Sequence, residues 1–388
     1  MRHEASGDGN RVGMKRTWPP LPPFPNPLQT LWCPDMFRSL LAVNLLVFCC
    51  TALADTGVGK LHTFRDWVIG CDNTLRCEAQ GYGSERSEAS PGGRAALIIR
   101  RDAGPDRPPA MHFAYSTMDD VPGPSVNQVV MVQVGALRFE LPRMAAPQQE
   151  TEVPASRVPA LLAAAQKSAY IVLSVGNSQW KVSLNGAAAA LLKMDDLQGR
   201  VGTPGALTRK GTKPESSVPL PAIPVLDAAR IPPTTPADLK LVPAIAALLP
   251  HTETDCPGFD PAQGELEMVR LTSSTLLVLQ PCWRGAYQTG SRVWQVDDRP
   301  PHRARQLDLP TADGSTKDSL VAEADSLGGN DRLYLRESAK GRGIGDCWVS
   351  HDWTWSGDRL VLVNASESDC RLFESGGLMV DLWRAQLK

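Results

Sequence analysis

The sequence predicts a mainly β protein with a few short helices, arranged as two antiparallel β-sandwich or barrel-like domains. Three observations lead there. Short apolar or alternating runs recur along the chain, separated by Gly, Pro, Asn and Asp turn signals. Neither βαβ alternation nor a solenoid-type repeat occurs. A proline-rich stretch over 211–235 divides the chain in two.

The elements follow in order. Residues 36–54, MFRSLLAVNLLVFCCTALA, have a short basic end at Arg38, an apolar run and an Ala52-x-Ala54 cleavage site, the three parts of a secretory signal peptide. That run is shorter than the about 20 residues a membrane-spanning helix needs, and polar sequence follows it, so the mature chain is not membrane-spanning. Residues 1–35 include the proline-rich WPPLPPFPNPLQTLWCP, resemble no targeting signal, and read as upstream sequence before a true start at Met36. The first domain is expected over 55–210, the linker over 211–235 and the second domain over 236–388.

In the first domain, Arg94–Arg101 and Ala110–Ser116 read as strands, and 126–141 as two strands broken at Gly135. Strands at 170–175 and 179–184 flank Gly176-Asn177-Ser178, a hairpin signal. Helices are expected at 158–167, with Pro159 at a permitted early position, and at 186–197, capped by Asn185 and stopped before Gly199. The linker holds Pro214, Pro219, Pro221, Pro224, Pro232 and Pro233. A helix at 237–249, kinked at Pro243, opens the second domain. Strands then follow at 266–271, 275–280, 292–296, 332–337, 347–355 and 359–364.

Of nine cysteines, Cys33, Cys49 and Cys50 fall before the cleavage site. The remaining six, an even number behind a signal peptide, imply disulfides and therefore a periplasmic or secreted location. Several connectivities are open, and the close spacing makes Cys71–Cys77, Cys256–Cys282 and Cys347–Cys370 the most economical. Cys71 and Cys77 have the wrong spacing for a C-x-x-C redox or zinc motif. They suit a staple across a small loop joining two strands, with Asp72-Asn73 as the turn.

The net charge is −2 at pH 7 with no long run of one sign. No basic face for nucleic acid is visible, so no nucleic-acid partner is expected. Phosphate loops, H-E-x-x-H and G-x-S-x-G are absent, and no cofactor or bound metal is expected. His251, Glu253 and Asp255 would share a face on a strand and could hold a metal, but such a run after a helix reads better as a solvated loop. Asp195-Asp196 point about 100° apart on a helix, so they read as a solvated face rather than a catalytic pair.

The aromatic residues say most. In CWVSHDWTW (347–355), period-two alternation puts Trp353 and Trp355 on the core face with Cys347 and Val349. Trp348 then lies on the polar face as a candidate contact residue. Trp283, Arg284 and Tyr287 in CWRGAY (282–287) form a second such group, with packing beneath a disulfide as the plainer alternative. His351 and Asp352 are the candidate general acid and base should the protein be an enzyme.

FRDWVIGCDNTLRCEAQGY (64–82), VSLNGAAAALLKMDDLQGRVGTPGALTRKG (182–211), CWRGAY and DCWVSHDWTWSGDRLVLV (346–363) together resemble an uncharacterised family of proteobacterial exported proteins, catalogued as domain of unknown function eleven-seventy-six. More weakly, Trp67–Cys71…Cys77 and Ser183–Gly186 resemble the invasion-associated locus B proteins. The resemblance implies an exported β-rich protein of a Gram-negative bacterium and supplies no catalytic residue. Binding or envelope maintenance, with an envelope protein or glycan as partner, is the leading expectation. A hydrolase of envelope polymers and an inhibitor of a foreign hydrolase are the alternatives.

Overall fold

Asp72 turns the first stapled hairpin. Its Oδ1 accepts hydrogen bonds from the Thr74 amide (2.8 Å), the Thr74 hydroxyl (2.7 Å) and the Arg76 amide (3.1 Å), a side-chain turn of the kind Asp favours. The flanking strands Trp67–Cys71 and Cys77–Tyr82 pair antiparallel with Cys71 opposite Cys77, so the disulfide closes the hairpin end. The Cys256–Cys282 and Cys347–Cys370 bonds form as well. In this computed structural model the described residues are 57–83, 94–116, 128–141, 150–176, 178–263, 265–322, 327–328, 331–371, 373 and 377–388. The signal segment expected at 36–54, and 1–35 before it, lie outside them.

Six strands lie side by side in the order Leu61–Phe64, Trp67–Cys71, Cys77–Tyr82, Arg94–Arg101, Ala110–Ser116 and Thr151–Glu152. Trp67–Cys71 is buried at every position because both sheet faces are covered. Trp67 and Ile69, with Leu97, Ile99 and Phe113, face a four-stranded sheet and two helices. Val68, Tyr82, Ala96 and Ile98 face Phe373 and Leu378 from the far end of the chain. The four-stranded sheet runs Ser178–Ser183, Tyr170–Val175, Val130–Val134, Leu137–Leu141. The helices are Val158–Ala165 and Ala187–Leu197.

The second half repeats the principle. One sheet orders Glu267–Arg270, Thr275–Arg284, Thr289–Asp297 and Ala304–Gln306, with Leu320–Ala322 also paired to Thr289–Asp297. The other orders Leu327–Gly328, Tyr334–Lys340, Trp348–Trp355, Leu360–Glu367 and Val380–Arg384. Leu277, Leu279 and Val293 meet Leu335, Trp353, Trp355 and Leu362 in a shared core. The back of the first sheet, through Leu276, Val278 and Val296, is covered by Ile245 and Leu249. Among the described residues the fold is mainly β with four short helices and several antiparallel sheets. Among the described residues none of the sheets closes into a barrel, so sandwich-like packing is the observed form.

Three local expectations are corrected. Residues 237–249 form two helices, Pro236–Leu239 and Val242–Leu248, because Pro243 has no amide to continue the first and sits in the first turn of the second. Thr235 and Asp238 cap the first in a reciprocal box. The cap of Ala187–Leu197 is Gly186, not Asn185. Its φ of 101° and a close approach to the Phe64 carbonyl, 1.9 Å from where a Cβ would sit, leave room only for glycine. Asp195 is buried, not solvated: it accepts from the Leu207 amide and from the Thr208 amide and hydroxyl. Asp196, one step round the helix, faces solvent.

The stretch 211–235 contains one 3-10 turn at Glu215–Ser217 and a two-residue strand, Val225–Leu226, parallel to Gln386–Leu387. Residues near the C-terminus also meet the first staple. Asn73 exchanges two hydrogen bonds with the Arg384 backbone, and the Arg384 guanidinium lies 2.7 Å from buried Asp72. Arg384→Ala leaves that carboxylate without its cation. The expected loss is about 1–3 kcal/mol in urea unfolding. Arg230→Ala, which removes a pair to Asp331 exposed on both sides, is expected to stay within about 1 kcal/mol.

Candidate functional site

Trp283 lies one residue before the end of the stapled strand Thr275–Arg284. Cys282 is tied to Cys256, and the Gly258 amide donates to the Cys282 carbonyl at 2.7 Å. Across the hairpin Trp283 stands opposite Gly290, after an irregularity in register between Pro281 and Trp283. The indole lies flat over that glycine: a Cβ on Gly290 would sit 1.9 Å from it. Gly285 to Gln288 closes the turn at 2.7 Å. Held this way, Trp283 is 40 % exposed and Tyr287 76 % exposed. Arg284 is exposed, with Glu265 at 3.6 Å.

A second braced loop adjoins this tip. The Gly341 amide donates to the Cys347 carbonyl, the Gly345 amide to the Arg342 carbonyl, and Arg342 pairs with Asp346. Cys347–Cys370 anchors its base. Gly343 approaches the Tyr287 ring, where a Cβ would lie 3.1 Å from Cε2, and Ile344 beside it is 70 % exposed. Trp348 is half-buried. Its Nε1–H donates to the Gly345 carbonyl at 3.1 Å, and Lys340 Nζ lies 5.2 Å from the ring centre. It braces the loop instead of standing free on a polar face, because the loop folds back over that face. The structure thus joins Trp283, Arg284 and Tyr287 to an isoleucine that strand alternation could not find. The only sequence signal for Ile344 was an apolar residue set between the glycines of GRGIG (341–345).

His351 and Asp352 do not converge. Neighbouring strand residues point to opposite faces, and each has its own partners. Asp352 accepts from Arg336 at 2.8 Å on one side of the sheet. His351 is buried, stacks on Trp353 with ring centres 5.2 Å apart, and places Nδ1 2.9 Å from Glu337. Glu337 also accepts Lys317 Nζ on both oxygens at 2.6 Å and the Val321 amide at 2.9 Å. Burial pushes this carboxyl up, but the bonds from His351 and Lys317 outweigh it and hold it below the usual carboxylate range. Glu337 shares a strand face with Leu335 in YLRES, so alternation did point it inward. A hollow of about 180 Å³ beside His351 is lined by Asp313, Ser315, Ser366 and Glu367. Burial raises the Glu367 carboxyl. Among the described residues no hydroxyl or thiol bonds to His351. The arrangement fixes a histidine against a carboxylate, and among the described residues the Ser315 and Ser366 hydroxyls of the hollow are not bonded to the histidine.

The run 251–255 forms a turn, so its alternate residues share no strand face. His251 bonds the Leu249 carbonyl, and Asp255 pairs with Arg292.

The chain matches the family described as protein of unknown function (DUF1176) over residues 61–386. It is 29% identical over 335 residues to the uncharacterized protein YpfG of Escherichia coli (strain K12), which covers 83% of this chain and 92% of that protein. No solved structure matches it.

Proposed function

The chain belongs to the DUF1176 family of proteins of unknown function, and on that footing we propose that it is an exported periplasmic binding module whose contact surface is built on Trp283, Arg284, Tyr287 and Ile344. One observation carries the reading. Two disulfide-anchored loops meet at Tyr287 and Gly343 and hold large side chains in solvent that lack a covering element among the described residues. Trp, Tyr and Arg are the residues that dominate protein contacts, and rigid aromatics lose little entropy on binding. The partner is an envelope protein or glycan.

Export is supported by the signal pattern at 36–54 and the three disulfides. No helix among the described residues is long and apolar enough to cross a membrane. The mature chain divides, on the same reading, at 211–235. Protein expressed from its own gene is expected in the periplasmic fraction with Asp55 as its first residue. N-terminal sequencing that finds Met1 or Met36 on it removes the export reading.

Tyr287→Ala is expected to leave the melting curve within about 0.5 kcal/mol of wild type, because the ring is exposed. It should weaken association with a partner recovered from periplasmic extract by about tenfold or more. Gly290→Ala, which displaces the Trp283 indole, should act in the same direction. Unchanged capture by both variants would remove this surface from consideration. The hydrolase reading rests on the His351–Glu337 contact beside its small hollow. It requires that His351→Asn abolish hydrolysis of an envelope polymer.

A further inference from the structure

A gap lies between the six-stranded sheet and the two helices of the first half. Its floor is Trp67, Leu97, Ile99 and Met111, all buried on the inner sheet face. The helices pass over this end of the sheet with small side chains, Ala165 and Ala187, where larger ones would fill the space. The result is a cavity of about 350 Å³, within the about 300–1,000 Å³ typical of small-molecule sites. Three polar side chains line it, Gln166, Ser168 and Thr208. Thr208 already donates to Asp195, and Gln166 to the Leu207 carbonyl at 3.4 Å. Buried water needs two to four polar partners, and an empty apolar space forfeits dispersion contacts. An apolar occupant satisfies the site better than either.

The cavity does not stand alone. Leu162 and Gln166 also line a second, larger cleft of about 820 Å³, so the two spaces adjoin at these two side chains. The cleft wall is mainly apolar, from the Val158–Ala165 helix and Pro108, Pro109 and Pro204. Its charges are Arg101, Arg107 and Lys210 against Asp106 and Glu215. Arg101 is committed to the Arg107 and Gly205 carbonyls and to Asp195. Glu215 is committed to the Gly205 amide and Arg200. Arg107 and Lys210 are exposed, and their side chains have no ion-pair partner among the described residues.

We propose that the first half binds a single-chain anionic amphiphile, with the acyl chain entering the cavity past Leu162 and Gln166 and the anionic head meeting Arg107 and Lys210. A carboxylate and a phosphate ester share the chemistry this rim recognises. The cavity explains the chain, and Arg107 and Lys210, two cations unpaired among the described residues against the single unpaired carboxylate of Asp106, explain the sign of the head.

The test is calorimetric titration of the delipidated mature protein below micelle-forming concentrations. Dodecanoate, dodecyl phosphate and dodecyltrimethylammonium present one chain with three heads. Saturable binding of at least one anion, with the cation at least tenfold weaker, is expected, and the tighter anion identifies the head. Ala165→Leu and, separately, Ala187→Leu fill the cavity. Each should weaken the anion at least tenfold while the melting temperature holds or rises. Arg107→Glu combined with Lys210→Glu should reduce anion affinity at least tenfold and narrow the preference over the cation. Absence of saturable binding by any of the three, or filled variants that melt normally and bind like wild type, would overturn the proposal and leave the cavity a packing gap. Equal binding of anion and cation would overturn the assigned head.

Discussion

Trp353→Ala is expected to cost about 3–5 kcal/mol, the range for a large aromatic removed from a well-packed core. Trp353 has no exposed surface and sits where the two C-terminal sheets meet, with Leu335, Leu362 and Trp355 around it. Its Nε1–H donates to the Pro310 carbonyl at 2.8 Å, so truncation strands an acceptor as well as opening a void. It also removes the ring on which His351 stacks. Trp348, on the other face of the same strand, is half-buried, and Trp348→Ala is expected to cost about 1 kcal/mol, close to the centre for ordinary substitutions. Thermal melting separates the two. A Trp348→Ala variant that unfolds while Trp353→Ala melts like wild type would mean that the faces of this strand are exchanged.

That pair shows what the sequence made legible. Period-two alternation needs only local information, and it placed Trp353 and Trp355 inward with Cys347. Arg94–Arg101, Ala110–Ser116 and Tyr170–Val175 run over the residues expected of them, because each is an uninterrupted apolar or alternating run between turn signals. Strands whose only support is a distant partner were not legible. Val380–Arg384 and Leu320–Ala322 are short and gain definition from pairing with Leu360–Glu367 and Thr289–Asp297. Asp195 shows the same limit for a side chain. Helix geometry separates it from Asp196, but which of the two turns inward depends on the Leu207 and Thr208 amides and on Arg101, all remote from the helix in sequence. In the candidate surface, Trp283, Arg284 and Tyr287 could be named from composition alone. Their meeting with Gly343 and Ile344, and the inward pull on Trp348, are tertiary facts.

Glu337→Gln is expected to destabilise the protein by about 2–4 kcal/mol at neutral pH. Removing one member of a buried ionic pair costs about 3–5 kcal/mol, and Lys317 is exposed enough to recover part of that from water. Glutamine keeps the shape but not the charge. Glu337 is only 1 % exposed and takes bonds from Lys317, His351 and the Val321 amide at once. An amide has a single acceptor oxygen for these three partners, and its NH₂ must face one of them as a second donor. The Leu320–Ala322 strand, attached here through Val321, should loosen first. The pH dependence follows from the direction of the Glu337 shift. Its carboxyl is held below its ordinary value near 4.5, so the stability it gives is fully present above that pH and is lost as pH falls through the lower folded value. The gap between wild type and Glu337→Gln should therefore shrink as pH falls below about pH 4.5. Denaturant melts of both proteins across that range measure it. A gap that stays undiminished at about pH 3 would show that shape, not ionisation, is what Glu337 contributes, and the charged bridge from Lys317 to His351 would lose its role in holding this strand.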